Sequence, residues 1–364
     1  MMYSLCTAVL GRSFIHPLFP IVVAVVVLDI SSSMRYHVLG TGAIGCHFAV
    51  DLRSQHDVTL VLRSEKALQD FLSRQNEITY RRVNQPDETV RISGFDAMVA
   101  GDTSYNTHMD AVIVTTKAQH ATEAVRSIKP HLSRSSTLVL FQNGMGVADE
   151  LLEKLWPGPD RQEAPAIVIG VNRHSVMRTE PFDILHNAGW DKPTDGYFVS
   201  PSPEIGAEQG DQVQSVMQGM IGLARLNTKI VPWSTLSQFM MKKLVVNCGL
   251  NAATGILECS NGEYIASEQG CQLIRQICEE CAQVLSPELD ATPDELYDIV
   301  HGTAVDAAPN KCSTVQDIMA KRLTEIEYIN GYIIRKAKER NIPVPTNTFF
   351  VLLLHAKEHQ IHAK

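Results

Sequence analysis

Tyr36-His37-Val38-Leu39-Gly40-Thr41-Gly42-Ala43-Ile44-Gly45 runs from a short apolar stretch, through three glycines spaced Gly-x-Gly-x-x-Gly, into a helix-forming sequence. In a βα turn each glycine has its own task. Gly40 allows the tight turn, Gly42 lets the backbone approach a pyrophosphate, and Gly45 lets the helix pack closely on its strand. The first amides of the helix then face the anion. The hexapeptide alone also fits an ordinary glycine turn. A dinucleotide site is favoured by the next apolar run, Asp57-Val58-Thr59-Leu60-Val61-Leu62-Arg63, which arrives after a helix-length interval as a βαβ unit requires.

With 364 residues, 45% of them hydrophobic and 20% charged, the chain has material for a large core and two domains. Its net charge of -8 gives no basis for a nucleic-acid partner, which leaves a small molecule. The eight cysteines follow no framework spacing. Cys278 and Cys281 lie in a helix-like stretch without a second pair to complete a zinc site, so the cysteines read as reduced thiols of an intracellular protein.

Residues 1–33 stand apart. Ile21 to Ile30 is strongly apolar, but Arg12, His16, Pro17, Pro20 and Asp29 break the flanks, leaving less than the ~20 clean residues of a membrane helix. Met34 stands two residues before the first strand, so the segment reads as an over-extended translation start. A signal peptide, a mitochondrial presequence or a membrane anchor is the alternative. The expected compartment is the cytoplasm, or a mitochondrial or membrane-associated one if the extension is a true targeting segment.

Beyond the first βα unit, strand and helix patterns keep alternating. Ala111 to Thr116 reads as a buried parallel strand with Lys117 at its C-terminal end, the edge where such sheets bind ligands. Thr137 to Phe141 is another, followed by the turn Gln142-Asn143-Gly144-Met145-Gly146. Taken alone, Lys117 also reads as a solvated strand end and Asn143-Gly144 as a plain turn. Ile167 to Gly170 is a further strand, and residues 177–232 read as an antiparallel extension with loops.

From Ser234 the pattern turns helical, which divides the chain into a Rossmann domain over 34–233 and a helical domain over 234–364. Lys243, Asn247 and Asn251 recur every four residues, so each is rotated by about 40° from the last and all three share a face. Their apolar neighbours Leu244, Val245 and Leu250 favour a cleft over an open helix surface for this row. Gly249 inside the helix costs about 1 kcal/mol against alanine and implies close packing or a kink. A second long helix is predicted over Thr314 to Asn341, with Ile318, Met319, Ile326, Ile329 and Ile333 as its apolar stripe. Glu325 falls at the edge of that stripe. An unpaired carboxylate there would cost several kcal/mol, so it must find a cleft, a cation or a substrate hydroxyl, whereas Glu327 falls on the solvated side. In the final helix, His355, His359 and His362 lack a convincing third metal ligand and read as a solvated helix end.

Taken in order, the Gly40 to Gly45 turn, Thr116-Lys117-Ala118, Gln142 to Gly146, Lys243 to Asn251, Asn261-Gly262-Glu263 and Ser313 through Asp317 to Gly331 resemble the ketopantoate reductase (2-dehydropantoate 2-reductase) family. The resemblance runs from Met34 to the final helix, and the order and spacing of these stretches carry it. It implies an α/β fold in which an N-terminal Rossmann dinucleotide-binding domain is followed by an all-α C-terminal domain of the 6-phosphogluconate-dehydrogenase-like type. The implied activity is NADPH-dependent reduction of 2-dehydropantoate to pantoate, in pantothenate and coenzyme A biosynthesis. The implied partners are a small 2-keto acid and, in a homodimer, a second copy of the chain.

Residue by residue, the resemblance implies that Gly40, Thr41, Gly42, Ala43, Ile44 and Gly45 hold the cofactor pyrophosphate. Arg63, where an NAD enzyme usually carries an acid, would meet the 2′-phosphate of NADPH. Lys117 and Asn143 match positions that contact cofactor and substrate, and Val176 one that contacts cofactor. Lys243 matches the catalytic lysine, Glu325 the active-site acid that would accept a hydrogen bond from a cofactor or substrate hydroxyl, and Asn247, Asn251, Asn261 and Ser313 the substrate-binding set. Residues 1–33 have no counterpart in the compact bacterial pattern, and the region from Trp156 to Ser200 looks longer than in it. Two alternatives stay open: a related NADP-dependent 2-keto acid reductase or hydroxyacid dehydrogenase of different substrate, and a catalytically silent NADP-binding redox sensor. The joint presence of Lys243, Asn247 and Glu325 argues against the sensor.

Overall fold

Short runs of β-branched and aliphatic residues alternate with amphipathic stretches through the first part of the chain, and each run becomes a strand. The computed structural model describes residues 34–190, 192–203 and 209–363. The segment 1–33, with its apolar run, lies outside the described residues. β1 (Arg35–Leu39), α1 (Ala43–Leu52), β2 (Asp57–Leu62) and α2 (Glu65–Ser73) form the first two βα units. β3 (Ile78–Arg82), β4 (Gln85–Ile92) and β5 (Asp96–Val99) precede β6 (Ala111–Val114), α3 (Ala118–Ile128), β7 (Thr137–Leu140), α4 (Val147–Leu155) and β8 (Ala166–Asn172). β9 (Ser175–Glu180), β10 (Asp183–Ala188), β11 (Tyr197–Pro201), α5 (Gly210–Gln218) and β12 (Lys229–Ile230) follow.

Eight strands form one sheet in the order β12-β11-β8-β7-β6-β1-β2-β5, parallel except for the β8–β11 pair. Because β2 and β6 flank β1 on opposite sides, the strand order reverses there. The crevice beyond the C-terminal ends of β1 and β6 is where such a sheet binds its ligand. Val38, Val112, Ile113, Leu138 and Val139 are fully buried, as strands covered on both faces must be.

The second sheet runs β4-β3-β10-β9. Within 177–232 the expected antiparallel extension is present in the β9–β10 hairpin and in β11, but the stretch also contains α5 and the parallel strand β12. A nine-residue helix and a two-residue strand leave too little periodicity to read.

Beside α1, a line of buried polar groups has a direction fixed from one end. Leu226 offers only a carbonyl, so His174 Nε2–H donates to it at 2.8 Å, leaving Nδ1 to accept from His186 Nε2–H at 3.0 Å. His186 Nδ1 then accepts from the Tyr80 hydroxyl at 2.8 Å, whose oxygen accepts Arg82 Nε–H at 2.9 Å. His47 of α1 pairs with the Tyr197 hydroxyl at 2.9 Å. Burial pushes His186 down to about 3 and lowers His174 and His47 as well, keeping all three neutral as the relay requires.

The helical part comprises α6 (Trp233–Leu257), α7 (Asn261–Ile265), α8 (Glu268–Leu285), α9 (Pro293–Asp306), α10 (Ser313–Met319), α11 (Asn330–Arg340) and α12 (Pro345–His362). α6 packs against α8, α9, α10 and α12 and also touches β8 and β11. The close packing expected at Gly249 is there: a Cβ on it would stand 2.9 Å from Val300 Cγ1 of α9. The single helix predicted over Thr314 to Asn341 is corrected to two, α10 and α11, joined through a 3-10 turn at Ile326–Tyr328. Lys321 at φ +52° and an Arg322 N–H bond to the Asp317 carbonyl stop α10. The stripe concealed this break because Ile318, Ile326, Ile329 and Ile333 all bury; Met319, assigned to the same stripe, is 59% exposed. The seven described cysteines are free thiols. Among the described residues no helix is long and apolar enough to cross a membrane.

Candidate active site

The site is assembled from the C-terminal ends of β1, β2, β6 and β7 and from one face of α6. At β1, Gly40 has φ +104° and a Cβ there would meet Thr116 N at 2.8 Å. The Thr115 hydroxyl donates to the Gly40 carbonyl at 2.6 Å. A Cβ on Gly45 would come within 1.9 Å of the same oxygen, so helix and strand touch at backbone distance. Gly42 is the opposite case, with nothing within 4 Å of its would-be Cβ. It is the N-cap of α1, and neither a side-chain cap nor an acidic residue occupies the first turn. The leading amides, from Ala43, Ile44 and Gly45, are therefore left for an anion. Arg63 follows β2 directly, is exposed, and has no ion-pair partner among the described residues.

At β6, Lys117 is the N-cap of α3, and its ammonium donates to Asp317 Oδ2 at 2.6 Å and to Glu325 Oε2 at 3.4 Å. Glu325, only 4% exposed, also accepts the Ala118 N–H at the head of α3 (3.0 Å) and Asn143 Nδ2 from the turn after β7 (3.2 Å). The partners that sequence reasoning demanded for this carboxylate are thus a cation, an amide and a helix N-terminus. Burial works against the Lys117 ammonium, but Glu325 and Asp317 outweigh it and hold its pKa above the ordinary lysine value. The turn carrying Asn143 is clasped to the 3-10 turn: Met145 N–H donates to the Tyr328 carbonyl at 2.8 Å, and Gly144, at φ +79°, leaves no room for a Cβ beside that oxygen.

On α6, Lys243 Nζ donates to the Asn172 carbonyl at the end of β8 at 3.0 Å. Burial, opposed by Glu325 and assisted by Arg173, lowers its pKa to about 8. Asn143, Lys243 and Asn247 line one cleft of about 310 Å³, walled on its apolar side by Trp233, Met240 and Tyr332. Asn251 is buried farther along α6; the Cys312 thiol just before Ser313 approaches its carbonyl at 3.8 Å and the Thr254 hydroxyl at 3.1 Å. Asn261 heads α7, where its Nδ2 donates to the Ala307 carbonyl at 3.2 Å and its Oδ1 is buried without a partner. Val176 lies on β9 opposite His186, packed on the core that also receives Ile44.

Asp317 and Arg173 had no assigned role in the sequence. Asp317 is 2% exposed and holds both Lys117 and Arg322, the latter through Nε at 3.1 Å. Its signal was a carboxylate directly before the apolar Ile318, the same reasoning that marked Glu325.

Residues 36–198 match the family model described as Ketopantoate reductase PanE/ApbA, and residues 235–358 match Ketopantoate reductase PanE/ApbA C terminal. The 2-dehydropantoate 2-reductase of Shigella flexneri is 30% identical over 335 residues, covering 90% of this chain and 96% of that protein. A probable 2-dehydropantoate 2-reductase of Schizosaccharomyces pombe is 28% identical over 341 residues, covering 88% of this chain and 95% of the relative. Among solved structures, the ternary structure of D-mandelate dehydrogenase with NADH and anilino(oxo)acetate shares the fold with a TM-score of 0.75 at 21% identity, over 91% of this chain and 100% of that one.

Proposed function

We propose that this chain, which belongs to the ketopantoate reductase family, reduces 2-dehydropantoate to pantoate with NADPH, a step toward pantothenate and coenzyme A. The observation that carries this reading is Lys243, a half-buried ammonium with a lowered pKa in a cleft shared with Asn143 and Asn247. We assign 34–233 to the cofactor and 234–364 to substrate and catalysis. The open space at Gly42 and the uncapped start of α1 suit a pyrophosphate held by residues 40–45, and Arg63, exposed and without an ion-pair partner among the described residues, suits a 2′-phosphate. When bound, NADPH supplies the hydride that reaches the ketone carbon. Lys243 polarises the ketone oxygen and gives it a proton from Nζ, ending as a neutral amine that solvent reprotonates.

Asn247, Asn251, Asn261 and Ser313 are the proposed substrate ligands; the unsatisfied Asn261 Oδ1 supports a donor on the ligand. Lys117 and Asn143 serve cofactor and substrate, and Val176 the cofactor. Three donors already occupy the Glu325 carboxylate, which leaves it one further lone pair for a hydroxyl. The apolar wall of Trp233, Met240 and Tyr332 favours a second reading, a bulkier 2-keto acid. Following NADPH consumption over a panel of 2-keto acids decides between them. The first reading expects 2-dehydropantoate to have the highest kcat/KM, whereas a preference for an aryl-substituted acid selects the second.

A further inference from the structure

Arg173 stands between β8 and β9, next in sequence to Asn172, whose carbonyl receives the Lys243 ammonium at 3.0 Å. Its guanidinium carbon lies 4.7 Å from the centroid of Phe239 and 5.5 Å from that of Phe198, and those rings meet edge to face at 5.2 Å. Phe239 is one helical turn before Lys243 on α6, so the clamp that holds the guanidinium stands beside the lysine. The residue is exposed and forms no ion pair among the described residues. An exposed arginine fixed on two aromatic faces keeps its charge in one place.

We infer that Arg173 is a positioning residue for the reaction: its clamped guanidinium is the fixed cation that makes the Lys243 ammonium readier to give up its proton. The inference rests on the reading of Lys243 as proton donor. Glu325 favours the protonated form of Lys243 and Arg173 opposes it. Lys229 of β12 lies over the same Phe198 ring at 5.0 Å, adding positive charge to this corner, while Asp195 partly offsets both cations. Asp149 of α4 and Tyr332 of α11 line the cleft. Asp195 and Asp149 have partners of their own. Lysine at this position would preserve the charge; glutamine would remove it and keep most of the stem.

The test is the pH profile of kcat for reduction in the full-length protein at saturating NADPH and 2-keto acid. Turnover in the unmodified enzyme falls as pH rises through the Lys243 pKa. Arg173→Gln is expected to move that fall upward by about half a pH unit, giving roughly threefold more relative turnover on the alkaline side. Arg173→Glu moves it further, Arg173→Lys leaves it in place, and added salt moves the unmodified enzyme toward the Arg173→Gln profile. Lys243→Arg, whose side chain does not lose its proton in this range, separates the two claims. A fall that disappears in Lys243→Arg but is unmoved in Arg173→Gln overturns the role of Arg173 and leaves Lys243 in place. A fall that persists unchanged in Lys243→Arg removes Lys243 as its source, and the inference with it.

Discussion

The proposed preference for NADPH rests on one side chain. Arg63 is exposed beyond β2 with no ion-pair partner among the described residues, and the preceding residue is Leu62, so the position offers a cation where an acceptor for a ribose 2′-hydroxyl would stand. A charged hydrogen bond contributes about 1.5 to 3 kcal/mol, so Arg63→Ala is expected to weaken NADPH binding by about tenfold or more while NADH changes little. Titrating both cofactors against both proteins checks this. An equal loss for the two would take Arg63 out of the 2′-phosphate site. The end of the apolar run was legible in the sequence, while the role proposed for Arg63 came from the family resemblance. Asp317 was not legible, since its meaning comes from Lys117, 200 residues away in sequence.

At the scale of elements, contact between α1 and β1 shapes the proposed anion site. Gly45→Ala would place a methyl group 1.9 Å from the Gly40 carbonyl, backbone against backbone, so helix and strand must separate. The expected cost is about 1 to 3 kcal/mol of stability, with a larger proportional loss of NADPH affinity because the leading amides move with the helix. Urea unfolding and cofactor titration measure the two effects. Gly42→Ala serves as a contrast: its Cβ meets no atom of the described residues within 4 Å, so unaltered stability with weakened NADPH binding is expected there. Apolar runs and glycine spacing made these elements readable. The interruption between α10 and α11 was not, because the inward isoleucines keep a helical rhythm across it while Lys321 takes a left-handed backbone. That interruption frees Glu325 to leave a helix face and cap α3.

Across the whole molecule, buried imidazoles make stability depend on acid. Burial lowers His186 to about 3 and His37 to about 4, and lowers His47 and His174 too. Unfolded, each titrates near 6.5, so below that pH the unfolded chain binds more protons than the folded one. The stabilisation is complete above about pH 6.5 and is lost as pH falls toward the folded values, by up to about 1.4 kcal/mol per pH unit for each histidine. Thermal unfolding should show a level Tm from about pH 7.5 to 6.5 and a steep decline below, with a shallower decline in His47→Phe. A Tm independent of pH down to about 4.5 would contradict the directed relay. Nothing in the sequence announced this network, whose histidines lie 12 to 150 residues from their partners and meet them only when the second sheet packs beside α1. The central claim is that Lys243 acts on the reacting oxygen and not on the cofactor. The direct measurement is NADPH affinity and kcat with 2-dehydropantoate for the unmodified protein and Lys243→Ala: kcat should fall by roughly 10² to 10⁴-fold while the Kd for NADPH stays within about twofold, whereas near-native turnover, or a loss confined to NADPH binding, would contradict it.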